Sequence, residues 1–432
     1  MAARPDHPDS LWAATAAAAP PASPLDGDRD VDVAVVGAGY CGLAAALHLA
    51  ERGTDVAVIE AAEIGWGASG RNGGQVNPGL RPALADIAAL HGEEAARRLV
   101  QAADEAPDAL FALIARLGFD CGASRPGALF LAHTPAMLDL YKARAERGAK
   151  AGLGTRFLDK QAAAALLGSD RYCGGYVDPR GGQLNPLSLA RGLAAAAIRR
   201  GAAVHVRTPA LSLAREGTGD AARWAIATPR GRLRARAVIL ATNAYTDGLW
   251  PGLRETVLPV NSFQIATTPL DESQRRAVLP QSHAAADSRR LILYFRKDPE
   301  GRLVIGGRAS FTTRDRPVEY GIMKRVLQDI FPQLGNLRVA HGWAGTLAIT
   351  WDRLPHLHEP APGVLAGLGF NGKGVALATV MGRVLAERAL GASAASLPFP
   401  TVPVAPIPLH RFRQPILHLA MQWNLLMDRI GR

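Results

Sequence analysis

Cysteine is scarce: three residues in 432, Cys41, Cys121 and Cys173, too few and too scattered for a disulfide framework or a Cys-x-x-Cys site. No metal is expected, and the pattern suits a reducing compartment. Long apolar runs are missing too. No stretch reaches the roughly 18 to 20 residues that a membrane-spanning helix needs, which argues against a membrane protein. The first 30 residues carry an Ala/Pro tract but neither a basic n-region nor a leucine-rich core, so no secretory signal is read and the cytoplasm is the expected location. Basic clusters are absent as well. Lys and Arg exceed Asp and Glu by 49 to 38, a formal charge of +11. The arginines are dispersed without interleaved aromatics, so the surplus reads as surface charge and no nucleic-acid partner is expected.

What is present is enough apolar chain for two domains: 432 residues, 48% of them hydrophobic, exceed one compact core of ordinary size. Residues 30–36, DVDVAVV, form a Val-rich run that stops at glycine, as a buried parallel strand does. Leu43, Leu47 and Ala50 then share a helix face that ends before Gly53. Residues 56–60, VAVIE, are a second strand, so residues 31–60 read as one βαβ unit. Within it Gly37, Gly39 and Gly42 stand in G-x-G-x-x-G register, and Glu60 ends the second strand 18 residues after Gly42. Strand, helix and acid together are the context of a dinucleotide-binding turn. Gly37 permits the turn, Gly39 lets backbone approach a pyrophosphate, and Gly42 seats the helix on the strand. The helix N-terminus adds unpaired N–H groups and partial positive charge. Glu60 would accept from ribose hydroxyls and disfavour a 2′-phosphate, hence NADP. A tight turn in some other α/β protein stays open on these glycines alone, as does NAD against FAD.

GWGASGRNGGQ, residues 65–75, follows that strand. Gly67, Gly70, Gly73 and Gly74 remove Cβ atoms where backbone would pass close to something flat and extended, while Ser69 and the Arg71 guanidinium can reach phosphate or ring oxygens. A flexible surface loop is the alternative. Residues 95–118 keep a helical period, with Pro107 expected to kink it or to start a new helix. Asn185 and Pro186 read as the N-cap and first residue of a helix stopping near Gly201. Further strands are read at 203–206, in the run AVILATNAY, in the hairpin LILYFRKDPEGRLVIGG and at 364–369. A helix over 375–390 follows the glycine loop FNGKG. The final PILHLAMQWNLLMDRIGR is apolar on one face. Docking on the protein's own body is expected for it, with a membrane-surface helix as the alternative.

The fingerprint, GWGASGRNGGQ, the ATNAY strand end, the GLGFNGKG loop and the leading SLWAAT at 10–15 together resemble a known family. They are similar to the FAD-dependent amine and amino-acid oxidases of the D-amino-acid oxidase/sarcosine oxidase superfamily, in the gamma-glutamylputrescine oxidoreductase-like branch. The resemblance covers nearly the whole chain. It implies an α/β fold with a Rossmann-like FAD-binding domain, discontinuous over 31–95, 170–250 and 340–400. A second, α+β substrate domain with a mostly antiparallel sheet would take 96–169 and 251–339, leaving an N-terminal extension, 1–30, and a C-terminal helical tail, 401–432.

By the same resemblance Gly37, Gly39, Gly42 and Glu60 hold the adenosine-diphosphate half of FAD. Ser69, Arg71, Asn72, Gly73, Gly74 and Gln75 line the flavin side, with Gln75 facing substrate. Ala210 meets adenine, Thr242 lies beside the cofactor, and Gly372, Lys373, Gly374 and Val375 form the loop at the flavin's pyrimidine edge. The helix that starts there would stabilise negative charge on reduced flavin. No cysteine follows Cys173, so FAD is expected to be noncovalent unless a histidine tethers it. Lys373 stands where relatives often carry histidine; substrate binding, help with oxygen and a solvent-facing side chain all stay open for it.

The implied activity is oxidation of the C–N bond of a primary or secondary amine or amino acid to an imine, then hydrolysed, with oxygen as acceptor giving hydrogen peroxide. A dehydrogenase feeding a quinone or carrier, or a flavin-binding protein without turnover, are the alternatives. The candidate catalytic and substrate-side residues are Tyr294, His341, Trp343 and Arg353, beside Lys373. Arg353 would grip a substrate carboxylate as a fork, unless it pairs with Asp352. Tyr294 and Trp343 are otherwise packing aromatics, and His341 a structural histidine.

Overall fold

The computed structural model describes residues 6–310 and 317–429, and the structural statements below concern those residues. The Val-rich run becomes the strand Arg29–Val36, flanked in parallel by Gly231–Leu240 and Val56–Ile59. Parallel partners on both sides explain why its residues are apolar without alternation. Val364–Leu368 extends the sheet beyond Gly231–Leu240, and Ala203–His205 extends it beyond Val56–Ile59, both parallel. Antiparallel strands His356–Ala361, Arg223–Thr228 and Ser212–Glu216 complete an eight-stranded sheet.

The helices Tyr40–Ala50, Pro186–Arg199 and Gly374–Ala389 share one apolar core, to which they contribute Leu43 and Leu47, Leu189 and Leu193, and Leu377 and Val384. Asn185 caps Pro186–Arg199 with its carboxamide oxygen, which accepts from the N–H groups of Leu187 and Ser188, and Pro at the first helical position leaves no donor unserved there.

The helix Glu93–Leu117 departs from two expectations. Its stripe of Ala96, Leu99, Ala103, Ala106 and Leu110 is buried in this same core, so a segment assigned to the second domain packs on the first. It also runs as one helix through Pro107, which excludes a new helix starting there. A proline denies the carbonyl four residues earlier its N–H, and here that carbonyl, Ala103 O, accepts instead from Gly79 N at 3.1 Å.

The second sheet also has eight strands, in the order Val339–Ile349, Leu258–Pro269, Arg302–Ser310, Leu293–Lys297, Ala284–Asp287, Ala128–Ala132, Gly174–Asp178 and Arg156–Leu158. It is antiparallel except where Ala284–Asp287 runs beside Ala128–Ala132. The expected hairpin pairs Leu293–Lys297 with Arg302–Ser310. Two strands read with the first domain, Gly174–Asp178 and Val339–Ile349, lie here instead, because they pair along Ala128–Ala132 and Leu258–Pro269.

The chain ends behave differently from each other. Residues at the N-terminus form a short helix, Leu11–Thr15, capped by the Ser10 hydroxyl. Its Leu11 and Trp12 are buried against Leu187 of one domain and Ala266, Val304 and Trp343 of the other. The C-terminal helix Arg413–Arg429 hardly docks at all, contrary to expectation. Leu419 stays 69% and Trp423 60% exposed, and the Asp428 carboxylate ties the helix down by accepting from the N–H groups of Arg290 and Leu291. No described helix is long and apolar enough to cross a membrane.

Candidate active site

Both sheets wall a cavity of about 530 Å³ that starts at the glycine fingerprint. Gly37 takes φ +110 at the end of the first strand, and its N–H donates to Ile59 O at 2.8 Å. The chain thereby turns away from the sheet edge without a side chain in the way. Gly39 is the N-cap of Tyr40–Ala50 and offers no side chain to the helix's first N–H groups. Gly42 does not line the cavity; a Cβ there would stand 2.0 Å from Gly37 O. It works from behind, letting the helix close on the turn.

The Glu60 carboxylate is held in place by backbone. One oxygen accepts from Ala38 N and the other from Ala62 N, each at 2.9 Å. A carboxylate oxygen has two lone pairs, and Glu60 lines the cavity. Ala210 and Thr242 line the same end. Acid, a helix start whose N-cap residue has no side chain, and bare turn fit the ribose and pyrophosphate of a dinucleotide.

The glycines of GWGASGRNGGQ also answer to the protein itself. A Cβ on Gly67 would meet the Tyr245 ring at 2.9 Å, on Gly70 the carbonyl of Gly65 at 2.4 Å, and on Gly73 the Tyr294 ring at 2.8 Å. Gly74, at φ +67, is shut against Leu184 O at 2.3 Å and does not reach the cavity. Asn72 staples the loop: its amide nitrogen donates to Ala68 O and Ser69 O, and its oxygen accepts from Gly74 N. Trp12 Nε1 donates to Asn72 O at 2.8 Å, and the Arg296 guanidinium lies 4.7 Å from the Trp12 ring centre.

The loop's walls remain in the cavity through Ser69, Arg71, Asn72, Gly73 and Gln75. Ser69 Oγ accepts from Tyr40 N at 3.0 Å, which clamps the loop to the fingerprint helix. The Arg71 guanidinium stacks on Trp66 at 4.3 Å and its Nε donates to Trp66 O, so its fork is partly committed within the protein. Gln75 bridges the domains by donating from Nε2 to Ala285 O and Phe295 O.

At the other end Asn371 (φ +53) and Gly372 (φ +87) turn the chain into Gly374–Ala389. Lys373 is that helix's N-cap and supplies no side-chain cap. Gly372, Lys373, Gly374 and Val375 line the cavity. Lys373 Nζ donates to Pro78 O at 2.6 Å. Burial of the ammonium, then the nearby Arg81 and Arg144, push its pKa down to about 7.

Of the substrate-side candidates, Tyr294 and Arg353 line the cavity and His341 and Trp343 do not. Tyr294 shares a 2.8 Å hydrogen bond with Ser262 Oγ. Arg353 takes φ +61 on a tight turn, and Asp352, its supposed partner, binds His356 instead at 3.0 Å. His341 stands 3.5 Å from Asp9, away from the cavity. Trp343 is fully buried behind the loop, where its Nε1 donates to Arg71 O at 3.0 Å; a strand that alternates faces put it on the far side.

Sequence reasoning missed the wall formed by the helix Pro135–Lys150. Met137, Leu140, Tyr141 and Arg144 line the cavity from one face of it. The signal was available: their spacing is helical, and a guanidinium closes an otherwise apolar stripe.

A family model described as FAD dependent oxidoreductase, DAO, matches residues 32–388. The chain is 35% identical over 413 residues to the probable oxidoreductase OrdL of Rhizobium meliloti, covering 94% of each chain. It is 33% identical to the gamma-glutamylputrescine oxidoreductase of Escherichia coli, covering 99% of each. Among solved structures, glycine oxidase from Geobacillus kaustophilus superposes with a TM-score of 0.73 at 22% identity, over 86% of this chain and 98% of that one, a likeness of fold. Match, identity and a cavity shaped for a dinucleotide agree: the chain belongs to the DAO family of FAD-dependent oxidoreductases, and FAD is its cofactor.

Proposed function

We propose that the chain oxidises the C–N bond of a primary or secondary amine or amino acid to an imine, which water then hydrolyses, and that oxygen is the electron acceptor and leaves as hydrogen peroxide. The observation that carries this reading is the continuity of one cavity from the fingerprint to the underside of the second sheet, ending at the uncapped start of Gly374–Ala389. The relatives named gamma-glutamylputrescine oxidoreductase and glycine oxidase support an amine or amino acid as the substrate class.

In this assignment Gly37, Gly39, Glu60, Ala210 and Thr242 hold the adenosine-diphosphate half, with Gly42 seating the helix behind them. Ser69, Arg71, Asn72, Gly73 and Gln75, and the loop Gly372–Val375, hold the flavin half, and Gly74 fixes the loop's path. When bound, FAD supplies the two-electron acceptance that the side chains lack. The protein's share is positional and electrostatic. The N-terminus of Gly374–Ala389 presents unserved N–H groups and partial positive charge where negative charge would develop. The second sheet roofs the loop at Tyr294, Ser262 and Gln264. With its pKa pushed down by burial, Lys373 Nζ is suited to take a proton from an incoming ammonium group. Cys41 is the one cysteine among the described lining residues, and burial pushes its thiol up to about 12, which suits noncovalent cofactor. Three unpaired cysteines suit a reducing cytoplasm.

The test is the visible absorbance of the purified protein, followed by an anaerobic amine panel. Bleaching of the flavin by an amine, and peroxide release on readmitting air, are the expected results. Bleaching with reoxidation by a quinone but not by air would make it a dehydrogenase, and no bleaching by any amine would defeat the assignment.

A further inference from the structure

The C-terminal helix Arg413–Arg429 is fixed at both ends yet leaves its apolar side unused. Just before its start the buried His410 donates from Nε2 to Val257 O at 3.0 Å. Near its end the Asp428 carboxylate accepts from the N–H groups of Arg290 and Leu291. Leu417, Met421, Asn424 and Asp428, spaced by three or four residues, are half-buried and form the side turned to the body.

The other side carries a different series. Leu409, Phe412, Ile416, Leu419, Trp423 and Leu426 also recur every three or four residues, from the preceding turn through the helix. At about 3.6 residues per turn, the two series point roughly 150° apart. Each member of the second is between 44% and 69% exposed. Single exposed apolar side chains are ordinary, whereas a contiguous stripe of six marks a contact surface.

Charge and area decide what covers it. The sequence beyond Glu387 holds one acid, Asp428, and that carboxylate is turned to the body. Arg411 and Arg413 stand at the head of the stripe, and the whole chain carries a formal charge of +11. A second copy of the chain would bring like charge to like charge. It would also gain little area. A helix of 17 residues is about 26 Å long and about 10 Å wide, a footprint of about 260 Å² where a stable partner needs about 800 Å². An anionic lipid surface meets both conditions: it attracts the arginines, and it accepts a single amphipathic helix with Trp, Phe and Leu on the buried face.

We propose that the C-terminal helix is an interfacial anchor, in which the stripe from Leu409 to Leu426 enters the boundary between headgroups and acyl chains of an anionic bilayer while Arg411 and Arg413 meet lipid phosphates. The helix lies along the membrane and does not cross it, as no described helix is long and apolar enough to do so. Its attachment point gives the anchor a direction. Arg290 and Leu291, which hold Asp428, sit between Arg289 and Ile292, and both of those line the cavity. The wall of the cavity is thereby held about one helix diameter, about 10 Å, from the lipid.

The experiment uses the full-length FAD-loaded protein and co-sedimentation with sucrose-filled vesicles, either of equal parts phosphatidylglycerol and phosphatidylcholine or of phosphatidylcholine alone. Binding to the anionic vesicles is expected to exceed binding to the neutral ones about tenfold or more, and to fall steeply when salt is raised to about 0.5 M. Leu419→Gln with Trp423→Gln is expected to abolish binding, and Arg411→Gln with Arg413→Gln to weaken it about tenfold or more. Trp423→Phe is expected to keep binding but to lose most of the blue shift in tryptophan fluorescence that vesicles cause. Leu419→Gln with Trp423→Gln is expected to leave the urea midpoint and the flavin content unchanged, because both side chains are exposed; a lowered midpoint would place the stripe on the protein's own body and overturn the anchor. So would equal partition into the two vesicles, partition into neither, or binding that survives Leu419→Gln with Trp423→Gln. If sedimentation equilibrium without lipid instead shows a concentration-dependent doubling of mass that those two substitutions abolish, the stripe belongs to a second copy and the membrane assignment fails.

Discussion

Gly42→Ala is a sharp test of how the cofactor end is built. A Cβ at this position would lie 2.0 Å from Gly37 O and 3.1 Å from Val35 Cγ1, whereas ordinary contact begins at 3.4 Å. Relief requires the helix Tyr40–Ala50 to withdraw by about the difference, 1.4 Å, because the obstacle is backbone that cannot rotate aside. Overpacking of a close-packed interior costs about 1–3 kcal/mol, and a backbone clash puts this one at the upper end. The same movement carries the helix N-terminus away from the pyrophosphate. Each charge-assisted hydrogen bond lost costs about 1.5–3 kcal/mol, or roughly tenfold to a hundredfold in FAD affinity. FAD binding is read by flavin fluorescence quenching on titration into stripped protein, and stability by urea unfolding. Gly248→Ala is the control, since nothing lies within 4 Å of its added methyl, and its stability should stay within about 0.5 kcal/mol. A Gly42→Ala protein that retains flavin and unfolds at the same urea midpoint as the control would refute the close-approach argument.

Three further outcomes follow. Glu60→Gln replaces one of two oxygens that accept from Ala38 N and Ala62 N with an NH2 group; FAD affinity should fall about tenfold while the fold persists, measured by the same titration. Trp12→Ala removes the donor on Asn72 O and the ring beneath Arg296, and should cost about 3–5 kcal/mol in urea unfolding and speed FAD dissociation; Trp12→Phe keeps the ring, loses only the N–H, and should cost about 1 kcal/mol. His358 is buried and its pKa is pushed down from 6.5 to about 4, by burial first and then by His356. The unfolded chain therefore binds the proton first, so stability should fall as pH drops from about 6.5 toward 4, by up to about 3 kcal/mol. His358→Gln should flatten that slope in thermal melts taken across the range.

Much of the cofactor end is legible in the sequence because its physics is local. A turn, a helix start and an acid at a strand end lie within residues 31–60, and their spacing states the geometry. The loop Gly372–Val375 is legible for the same reason. The failures come where tertiary partners decide. Gly74 reads as cofactor contact but is shut against Leu184 O. Trp343 and His341 sit on a strand whose register, set by Leu258–Pro269, no local pattern displays. Pro107 reads as a kink or a new helix start because the donor to the Ala103 carbonyl it orphans, Gly79 N, lies 28 residues before the proline in sequence. Arg81 and Arg144 both line the cavity, from segments far apart in the chain that no local pattern joins.

The order of strands in the first sheet also bears on how the chain is made. Its first strand, Arg29–Val36, emerges early, yet one neighbour is Gly231–Leu240, and that strand in turn waits for Val364–Leu368. Gly374–Ala389 then closes on Tyr40–Ala50 so tightly that a methyl on Gly382 would stand 2.4 Å from Cys41 O. At about 5–20 residues per second, a ribosome leaves the nascent half-sheet without its partners for many seconds. During that interval an apolar strand edge is open to any other chain, so expression yield should depend on chaperone supply more steeply than the finished protein's stability suggests.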